Sequence, residues 1–402
     1  MRILSLTSIR SDYDLMSRLY IELSKNNFFE FGIIVAGVHQ SEFHNFSRNK
    51  IVQDDLNIVA DVFNFEGEDG FIDQVNSAAN LLAVLGDTIE KFSPDVVFVV
   101  GDREDALMMS IAASYLRIPI VHFYGGDHAS DGHIDNSVRH AISKLSTFHF
   151  VSTETHRNRL ISIGEQENRI KVVGSIAIDN LVEVKSMDRR TILQKLFDGQ
   201  IAENDRIAFF LYHPIVDEIQ DFKTMFDKLI EFLTNENIHI VIGKSNNDPK
   251  YQELSRIINR FEGHPKIHFI DSLERVEYVN LLRNIAIMIG NSSAGLLEMA
   301  TFRVPVVNIG RRQRGRHADR NVIFSDLTYV EIEKAITKAL SSDFKESLSD
   351  LQNSYGSGGS VERALQELQR IDFSEALEKK CDPLKSPIFT TFDQSGGQFK
   401  SK

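Results

Sequence analysis

Short, wholly apolar stretches alternate with longer amphipathic ones along most of the chain. Residues 96–100 form a continuous apolar run between Pro94 and Gly101, a pattern typical of a central parallel strand that is covered on both faces. Residues 12–25 instead carry a leucine at every fourth position, which predicts an amphipathic helix. Repeated alternation of the two patterns indicates βαβ units built around parallel sheets.

The same patterns predict strands and helices throughout the chain. In the first half we predict strands at residues 2–6, 31–37, 96–100, 118–123, 148–152 and 170–173, and helices at 12–25, 71–91, 103–116 and near 137–144. In the second half we predict strands at residues 207–212, 238–242, 267–270, 286–289 and 304–308, with helices between them.

Two such sets predict an α/β protein of two doubly wound, Rossmann-like domains that face each other across a cleft. We place an N-terminal domain at residues 1–185 and a C-terminal domain at 186–373, because residues 182–190 are polar and strand-free. The last helix is expected to pack back on the N-terminal domain. Residues 374–402 lose the periodicity, so we expect a loosely ordered tail.

Composition narrows the classes of function. The chain has 402 residues, 42% of them hydrophobic and 25% charged, which argues against a disordered, collagenous or membrane-spanning protein. A net charge of −12 argues against nucleic-acid binding. The single cysteine, Cys381, allows no intramolecular disulfide and no cysteine-based metal site. With no signal-peptide pattern at the N-terminus, we expect a cytoplasmic protein without membrane contact.

Charged residues follow two predicted strands of the first half. Asp102 and Arg103 come directly after residues 96–100, and a Gly-Gly-Asp loop holding Asp127 leads to Asp135 and His140. Ligands of open α/β sheets bind beyond the carboxyl ends of the strands, and paired carboxylates suit general acid–base chemistry. The alternative is that these acidic residues cap helices or lie on a solvated loop.

The second half carries a candidate phosphate site. Ser292 and Ser293 lie in the turn Gly-Asn-Ser-Ser-Ala-Gly after a predicted strand, and four arginines lie within residues 311–316. Backbone N–H groups at a helix start and arginine side chains both bind phosphate. His213, at another strand end, is fixed by the proline that follows it. These segments predict a bound nucleoside diphosphate, although serine, asparagine and histidine at such places also have purely structural roles.

Taken together, these segments resemble the hydrolysing UDP-N-acetylglucosamine 2-epimerases of bacterial sialic-acid pathways. The resemblance covers residues 1 to about 370 and rests on SIRSDYDLMSRL, VVGDREDAL, GGDHASDGHIDNSVRHAISKLS, GSIAIDNL, LYHPI and GNSSAGLLEMATFRVPVVNIGRRQRGR. It implies the two-domain GT-B architecture and no metal or other cofactor. It also implies hydrolysis of a UDP-2-acetamido sugar with inversion at C2, which releases UDP and the free 2-epimer.

The resemblance also implies the roles of individual residues. Proton transfer and leaving-group chemistry are expected from Asp102, Asp127, Asp135 and His213. Binding of sugar or nucleotide is expected from Arg10, Arg103, Tyr124, His140, Asn246, Ser292, Ser293, Glu298 and Arg312. Within this second set, the two serines match diphosphate-binding residues and Glu298 matches a ribose-binding one.

Three departures from the family pattern fall in the N-terminal half. Tyr124 replaces a polar residue, Asp127 replaces a glutamate, and the loop after Val38 lacks a Gly-Asn-Thr ending. The first expectation for the substrate is UDP-N-acetylglucosamine, giving N-acetylmannosamine for sialic-acid synthesis. The alternative is UDP-2,4-diacetamido-2,4,6-trideoxyglucose of the legionaminic-acid pathway, because an aromatic ring suits a sugar with more apolar surface.

Other functions remain open at this stage. They are a non-hydrolysing 2-epimerase, a GT-B glycosyltransferase and an inactive sugar-nucleotide sensor. The acidic pair Asp127 and Asp135 argues against the transferase, because an inverting transferase needs one base. The expected partners are the UDP-sugar and further copies of the chain, in a dimer or tetramer formed through the N-terminal helices.

Overall fold

The structure, a computed structural model, describes residues 1–40, 47–64, 71–130, 134–215, 218–244, 250–270, 273–374 and 377–379. It divides into two compact units. The first unit comprises Met1–Asp127, His133–Asp179 and Gly358–Lys402, and the second comprises His128–Gly132 and Asn180–Ser357. Within the described segments, no helix is both long and apolar enough to cross a membrane.

In its described part, the first unit contains a seven-stranded parallel sheet in the order β3-β2-β1-β4-β5-β6-β7. The strands are β1 (Arg2–Thr7), β2 (Glu30–Val35), β3 (Ile58–Asp61), β4 (Val96–Val100), β5 (Ile120–Phe123), β6 (Phe148–Val151) and β7 (Ile170–Val172). The helices before the second unit are α1 (Arg10–Lys25), α2 (Arg48–Gln53), α3 (Phe71–Phe92), α4 (Glu104–Tyr115), α5 (Ile134–Leu145), α6 (Glu154–Ser162) and α7 (Ile176–Val182), which spans the junction.

The described part of the second unit contains a six-stranded parallel sheet in the order β10-β9-β8-β11-β12-β13. Its strands are β8 (Arg206–Leu211), β9 (Ile238–Gly243), β10 (Ile267–Ile270), β11 (Ile287–Gly290), β12 (Val306–Ile309) and β13 (Val322–Ser325). Its helices are α8 (Arg189–Phe197), α9 (Ile219–Asn235), α10 (Tyr251–Ile258), α11 (Arg275–Leu282), α12 (Ala294–Leu297), α13 (Tyr329–Leu340) and α14 (Ser342–Glu346). The chain then returns to the first unit in α15 (Ser360–Arg370).

Both faces of each sheet are covered by helices. In β4, Val96, Phe98 and Val100 face a core shared with α1 and α15, whereas Val97 and Val99 face a core shared with α3, α4 and α5. The second unit repeats this with α9 and α13 on one face and α8 and α11 on the other. Burial on both faces explains why the central strands are apolar at every position.

The predicted fold class of two Rossmann-like α/β domains is confirmed. Every predicted strand is present, with ends shifted by up to two residues. The sequence interpretation missed β3 and β13, which are four-residue strands at the outer edges of the two sheets. Each of the two has an apolar run of only three residues followed by a polar one, which is a weaker signal than the five-residue run of β4.

The start of α15 is attached to the first unit by one buried carboxylate. The backbone N–H groups of Ser360 and Val361 donate to Asp179 at 3.1 and 2.8 Å. Helix N-termini leave N–H groups without backbone partners, so Asp179 stabilises the start of α15 from outside the helix.

Candidate functional site

Each sheet has a point where the strand order reverses direction. In the first unit it lies between β1 and β4, and in the second between β8 and β11. Loops on the two sides of such a point diverge and leave a crevice at the carboxyl ends of the strands, which is where α/β proteins bind ligands. Most of the predicted site residues follow the strands at or next to these two points.

Asp102 lies directly after β4 and is paired with Arg139 of α5. The residue that caps α4 is Arg103, so the capping alternative for Asp102 is not what the structure has. Arg139 also donates to the backbone carbonyl of Asp127 at 3.2 Å, and its side chain is 7% exposed. This buried guanidinium therefore joins two of the predicted catalytic segments.

The loop that precedes Asp127 is pressed against the start of α6. Gly126 has φ +78°, and a Cβ at this position would lie 2.3 Å from the carbonyl oxygen of His156. Only glycine tolerates both conditions. The tight approach leaves Asp127 buried, with Oδ1 3.6 Å from Nε2 of His156.

Asp135 and His140 are both on α5. Asp135 lies in the first turn of the helix and both side chains are partly buried. Burial, the largest single influence, lowers the pKa of Arg103, but the nearby carboxylates, Asp135 among them, together raise it above its usual value. Arg10 begins α1 and pairs with Asp14 at 3.4 Å.

The sequence interpretation missed Asp12 as a candidate. Asp12 lies in the first turn of α1, after β1, and its carboxylate is 3.8 Å from Arg103, which follows β4. The pair therefore spans the reversal point of the first sheet. Burial raises the pKa of Asp12 to about 6, although the charge of Arg103 lowers it. The rule that selected Asp102, an acidic residue just beyond a central strand, also applies to Asp12.

Tyr124 adopts a left-handed backbone conformation with φ +62°. Its hydroxyl lies 3.3 Å from the carbonyl oxygen of Leu15 and 3.4 Å from Oγ of Ser175, and it accepts from the N–H of Ala177 at 3.4 Å. The ring packs on the core beneath α1. The polar end of Tyr124 is therefore bound inside the first unit, and the residue as a whole is partly exposed.

At the reversal point of the second unit, Asn291 joins the ends of β8 and β11. Its side-chain amide donates to the carbonyl of His213 at 2.8 Å and its oxygen accepts from the N–H of His213 at 2.6 Å. Gln313 in turn donates to the carbonyl of Asn291 at 3.0 Å. His213 is thus fixed in position by a buried amide.

Burial, together with the smaller effect of the Arg312 charge, lowers the pKa of His213 to about 3. His213 is therefore neutral near pH 7 before any anion binds. The other three arginines of this segment contact neighbouring side chains. Arg311 lies 3.5 Å from Glu218, Arg314 lies 2.5 Å from Asp326, and Arg316 donates to Oε1 of Gln313 at 2.9 Å. Of the four predicted phosphate-binding arginines, Arg312 is the one whose charge lowers the pKa of His213.

The turn that holds the two serines is shaped by Gly290. This residue has φ +140°, and a Cβ there would lie 1.9 Å from the carbonyl oxygen of Leu211. The helix that follows, α12, has only four residues and continues as a 3₁₀ turn. The helix dipole expected at Ser292 and Ser293 is therefore small, and their hydroxyls and the backbone N–H groups are the main donors of the turn.

Glu298 follows α12. Burial and the carboxylate of Glu298, which accepts a hydrogen bond from Tyr278, raise the pKa of Tyr278 well above its usual value. Asn246 lies outside the described residues. Among the residues that the structure does describe, no group of three or more His, Cys, Asp or Glu side chains is arranged to hold a metal ion.

The sequence matches the family described as UDP-N-acetylglucosamine 2-epimerase over residues 21–369. The chain belongs to the UDP-N-acetylglucosamine 2-epimerase family. It is 34% identical over 390 residues to a Legionella pneumophila protein named UDP-N,N'-diacetylbacillosamine 2-epimerase (hydrolyzing), covering 95% of this chain and 99% of that protein. Identity to a Campylobacter jejuni GDP/UDP-N,N'-diacetylbacillosamine 2-epimerase (hydrolyzing) is 28%, over 86% of this chain and 89% of that protein.

Solved structures of family members share the fold. The UDP-GlcNAc 2-epimerase of Neisseria meningitidis, determined with UDP-GlcNAc bound, superposes with a TM-score of 0.80 at 19% identity and covers 92% of this chain and all of that chain. The Methanocaldococcus jannaschii enzyme, in complex with UDP-GlcNAc and UDP, gives 0.76 at 20% identity, over 92% of this chain and all of that one. The epimerase fold and the family of this chain agree with the resemblance found in its motifs.

Proposed function

We propose that this family member hydrolyses UDP-N,N'-diacetylbacillosamine, which is UDP-2,4-diacetamido-2,4,6-trideoxyglucose, with inversion at C2. The products are UDP and 2,4-diacetamido-2,4,6-trideoxymannose. The observation that carries the proposal is the 34% identity, over nearly the whole of both chains, to a relative named for this substrate. From the sequence alone, UDP-N-acetylglucosamine was the first expectation for the substrate and UDP-N,N'-diacetylbacillosamine was the alternative.

The reaction needs acid–base groups on opposite faces of the sugar ring. A base removes the C2 proton while the C1–O bond breaks and UDP leaves, which gives a 2-acetamidoglycal. Water then adds its hydroxyl group to C1, and a proton returns to C2 from the other face. Departure of UDP before loss of the proton is an alternative order of the same steps. General acid–base catalysis and stabilisation of the leaving group supply the rate enhancement.

We assign proton transfer to the acidic residues of the first unit. Arg139 pairs with Asp102 and donates to the backbone carbonyl of Asp127. The negative charge of Asp135 is one of those that raise the pKa of Arg103. Asp12 adds a carboxylate with a pKa of about 6, close to the value that suits acid–base work near neutral pH. Arg10, Arg103 and His140 are proposed to bind the sugar or its phosphates.

We assign UDP to the second unit. Ser292 and Ser293 donate to the diphosphate, Arg312 neutralises it, and Glu298 accepts from the ribose. Neutral His213 orients the departing oxygen, and the negative charge of the bound diphosphate is expected to raise its low pKa. Asn246 stays a candidate for nucleotide or sugar binding.

The substrate is tested by comparing kcat/KM for UDP-N,N'-diacetylbacillosamine and UDP-N-acetylglucosamine. We expect the first to be preferred, because the hydroxyl of Tyr124 is already bound within its own unit and offers the sugar only a ring. Tyr124→His should lower the preference by about 10-fold or more, the scale of one altered pocket contact. Tyr124→Phe keeps the ring and is the control. Preference for UDP-N-acetylglucosamine by the wild type would overturn the proposed substrate.

The phosphate assignment predicts a nucleotide-affinity effect in the second unit. Joint replacement of Ser292 and Ser293 by Ala should weaken UDP binding by about 100-fold or more, because each of the two hydrogen bonds to a charged group contributes about 1.5–3 kcal/mol. The change is measured by titration calorimetry. The control replaces Ser342 and Ser349, which are exposed in the same unit, and should leave UDP affinity unchanged. Equal affinity in both double variants would remove the serines from the site.

The raised pKa of Asp12 predicts a pH dependence. Asp12 is ionised above about pH 6, and only the ionised form pairs with Arg103. We expect kcat/KM of the wild type to fall as pH drops through this value. In Asp12→Asn this step should be lost from the pH profile, whereas Asp87→Asn, an exposed site on α3, should retain it. A step that persists in Asp12→Asn would assign it to another group.

We further propose a cytoplasmic homo-oligomer. Apolar side chains are exposed on α3 and at the end of α4, namely Ile72, Val75, Val84, Tyr115 and Leu116. These two helices pack on each other, and an exposed apolar surface of this kind is typical of a subunit interface. Sedimentation of the wild type and of Val75→Glu tests the proposal, since the charge should dissociate the assembly.

A further inference from the structure

The last described residues of the chain are bound at the end of α5. The ammonium of Lys379 donates to the carbonyl oxygens of Ser143 and Lys144 at 3.1 and 2.9 Å and to the carboxylate of Glu165 at 2.6 Å. Arg169 donates to the carbonyl of the preceding residue, Glu378, at 2.8 Å. Helix C-termini attract cations because their last carbonyls have no backbone partners. Lys379 therefore caps α5 from a segment more than 200 residues away.

Glu165 is the buried anion of this cluster. Its side chain is 1% exposed, and besides Lys379 it contacts Lys144 at 2.7 Å and His149 at 3.1 Å. Burial raises the pKa of Glu165, but the hydrogen bond from His149 and the charges of the lysines bring it down to about 2. A buried carboxylate stays ionised only with such partners, so the Lys379 ammonium is part of what stabilises it.

A chain of contacts leads from this cluster to Asp102. His149 of β6 is the register partner of His122 of β5, and the two buried rings are 6.3 Å apart. His122 contacts the carbonyl oxygen of Gly101 at 2.8 Å through Nε2 and Oγ of Ser143 at 3.1 Å through Nδ1. Burial lowers the pKa of His122 to about 3. The neutral ring therefore donates from Nε2 to the carbonyl of Gly101, the residue before Asp102, and its Nδ1 contacts Oγ of Ser143.

The capped helix also reaches Asp102 directly. Arg139, which pairs with Asp102, lies one turn before Ser143 on α5, and Oγ of Ser143 is 2.9 Å from the carbonyl oxygen of Arg139. Lys379 thus holds the end of the helix that carries Arg139, and the His122 contact holds the backbone just before Asp102. Both sets of contacts therefore end at or next to the carboxylate of Asp102.

We propose that Lys379 is a positioning residue for the reaction, which through α5 and the Glu165–His149–His122 contacts holds Asp102 and Arg139 in their working geometry. The proposal rests on the proposed function, because it takes Asp102 to be catalytic. It assigns a role to a segment that lies after residues 21–369, the part of the chain that matches the family, and within the stretch where we expected loose order.

The test uses three variants of the full chain. Lys379→Met removes the charge and keeps the length, Lys379→Arg keeps the charge, and Lys25→Met removes an exposed lysine from the last turn of α1 as the control. For each we measure kcat and KM with UDP-N,N'-diacetylbacillosamine, and hydrogen exchange of the peptide covering residues 134–145.

Lys379→Met should lower kcat by about 10-fold with KM nearly unchanged, because misplaced catalytic groups slow the chemical step. Exchange in α5 should rise by about 10-fold, since a helix end without its cap opens more often. Lys379→Arg should restore most of kcat, and Lys25→Met should match the wild type. Unchanged kcat in Lys379→Met would overturn the proposal. If the wild type does not turn over the sugar, the proposed function fails, whereas unchanged α5 exchange would overturn the tail contact in either case.

Discussion

Replacement of Asp102 by Asn is expected to lower turnover by about 100-fold or more, the scale of general acid–base catalysis. Asn keeps the size of the side chain and removes its ability to carry the proton. It also removes the negative charge of Asp102 from the buried guanidinium of Arg139, which donates to the backbone carbonyl of Asp127. UDP affinity should change little, because nucleotide binding is assigned to the second unit. Steady-state kinetics and calorimetry measure the two effects separately.

Asp87→Asn is the matched control for this change. Asp87 is exposed on α3 in the same unit, and its replacement should leave turnover and melting temperature as they are. Asp127→Asn should resemble Asp102→Asn in its loss of turnover. If Asp102→Asn retains nearly normal turnover, Asp102 is not a proton-transfer residue and its pairing with Arg139 is purely structural.

Gly290→Ala is expected to be among the most destabilising single changes in the chain. The new Cβ would lie 1.9 Å from the carbonyl oxygen of Leu211 in β8, at φ +140°. Relief requires β8 and β11 to separate where Asn291 joins them. We expect a loss of about 4 kcal/mol or more in the free energy of unfolding, the range of severe single substitutions. UDP binding should fall as well, because the turn holding both serines begins at this glycine.

Gly86→Ala is the same chemical change, but we expect it to raise the free energy of unfolding rather than lower it. Gly86 is inside α3, and a Cβ there meets nothing within 4 Å. Alanine favours a helix over glycine by about 1 kcal/mol, so this variant should be slightly more stable than the wild type. Urea unfolding curves of the two variants show whether each is less or more stable than the wild type. Wild-type stability of Gly290→Ala would mean that the tight approach to Leu211 is not required.

Much of the architecture is encoded locally. The strands with continuous apolar runs, such as β4, could be predicted because burial on both faces constrains each of their positions. Knowing that ligands of parallel sheets bind at the carboxyl ends was then enough to select Asp102, His213 and the serine turn. The fold class follows from the alternation alone, whereas the apolar runs of the edge strands β3 and β13 are only three residues long.

Other features depend on contacts between distant residues, which a single sequence does not reveal. Arg139 and Asp102 are 37 residues apart, and Lys379 and Glu165 are 214 apart. The inward direction of the Tyr124 hydroxyl depends on the N–H of Ala177 and the carbonyl of Leu15, and both are backbone groups that any residue supplies. These features required the structure.

The most direct test of the account is the reaction carried out in deuterium oxide with UDP-N,N'-diacetylbacillosamine and no acceptor. We expect release of UDP and a free sugar of the manno configuration that carries one deuterium at C2, because the returning proton comes through acid–base groups that exchange with solvent. Mass spectrometry and NMR of the product detect both properties. Release of UDP with a gluco-configured sugar that carries no deuterium at C2 would contradict the proposed epimerase chemistry.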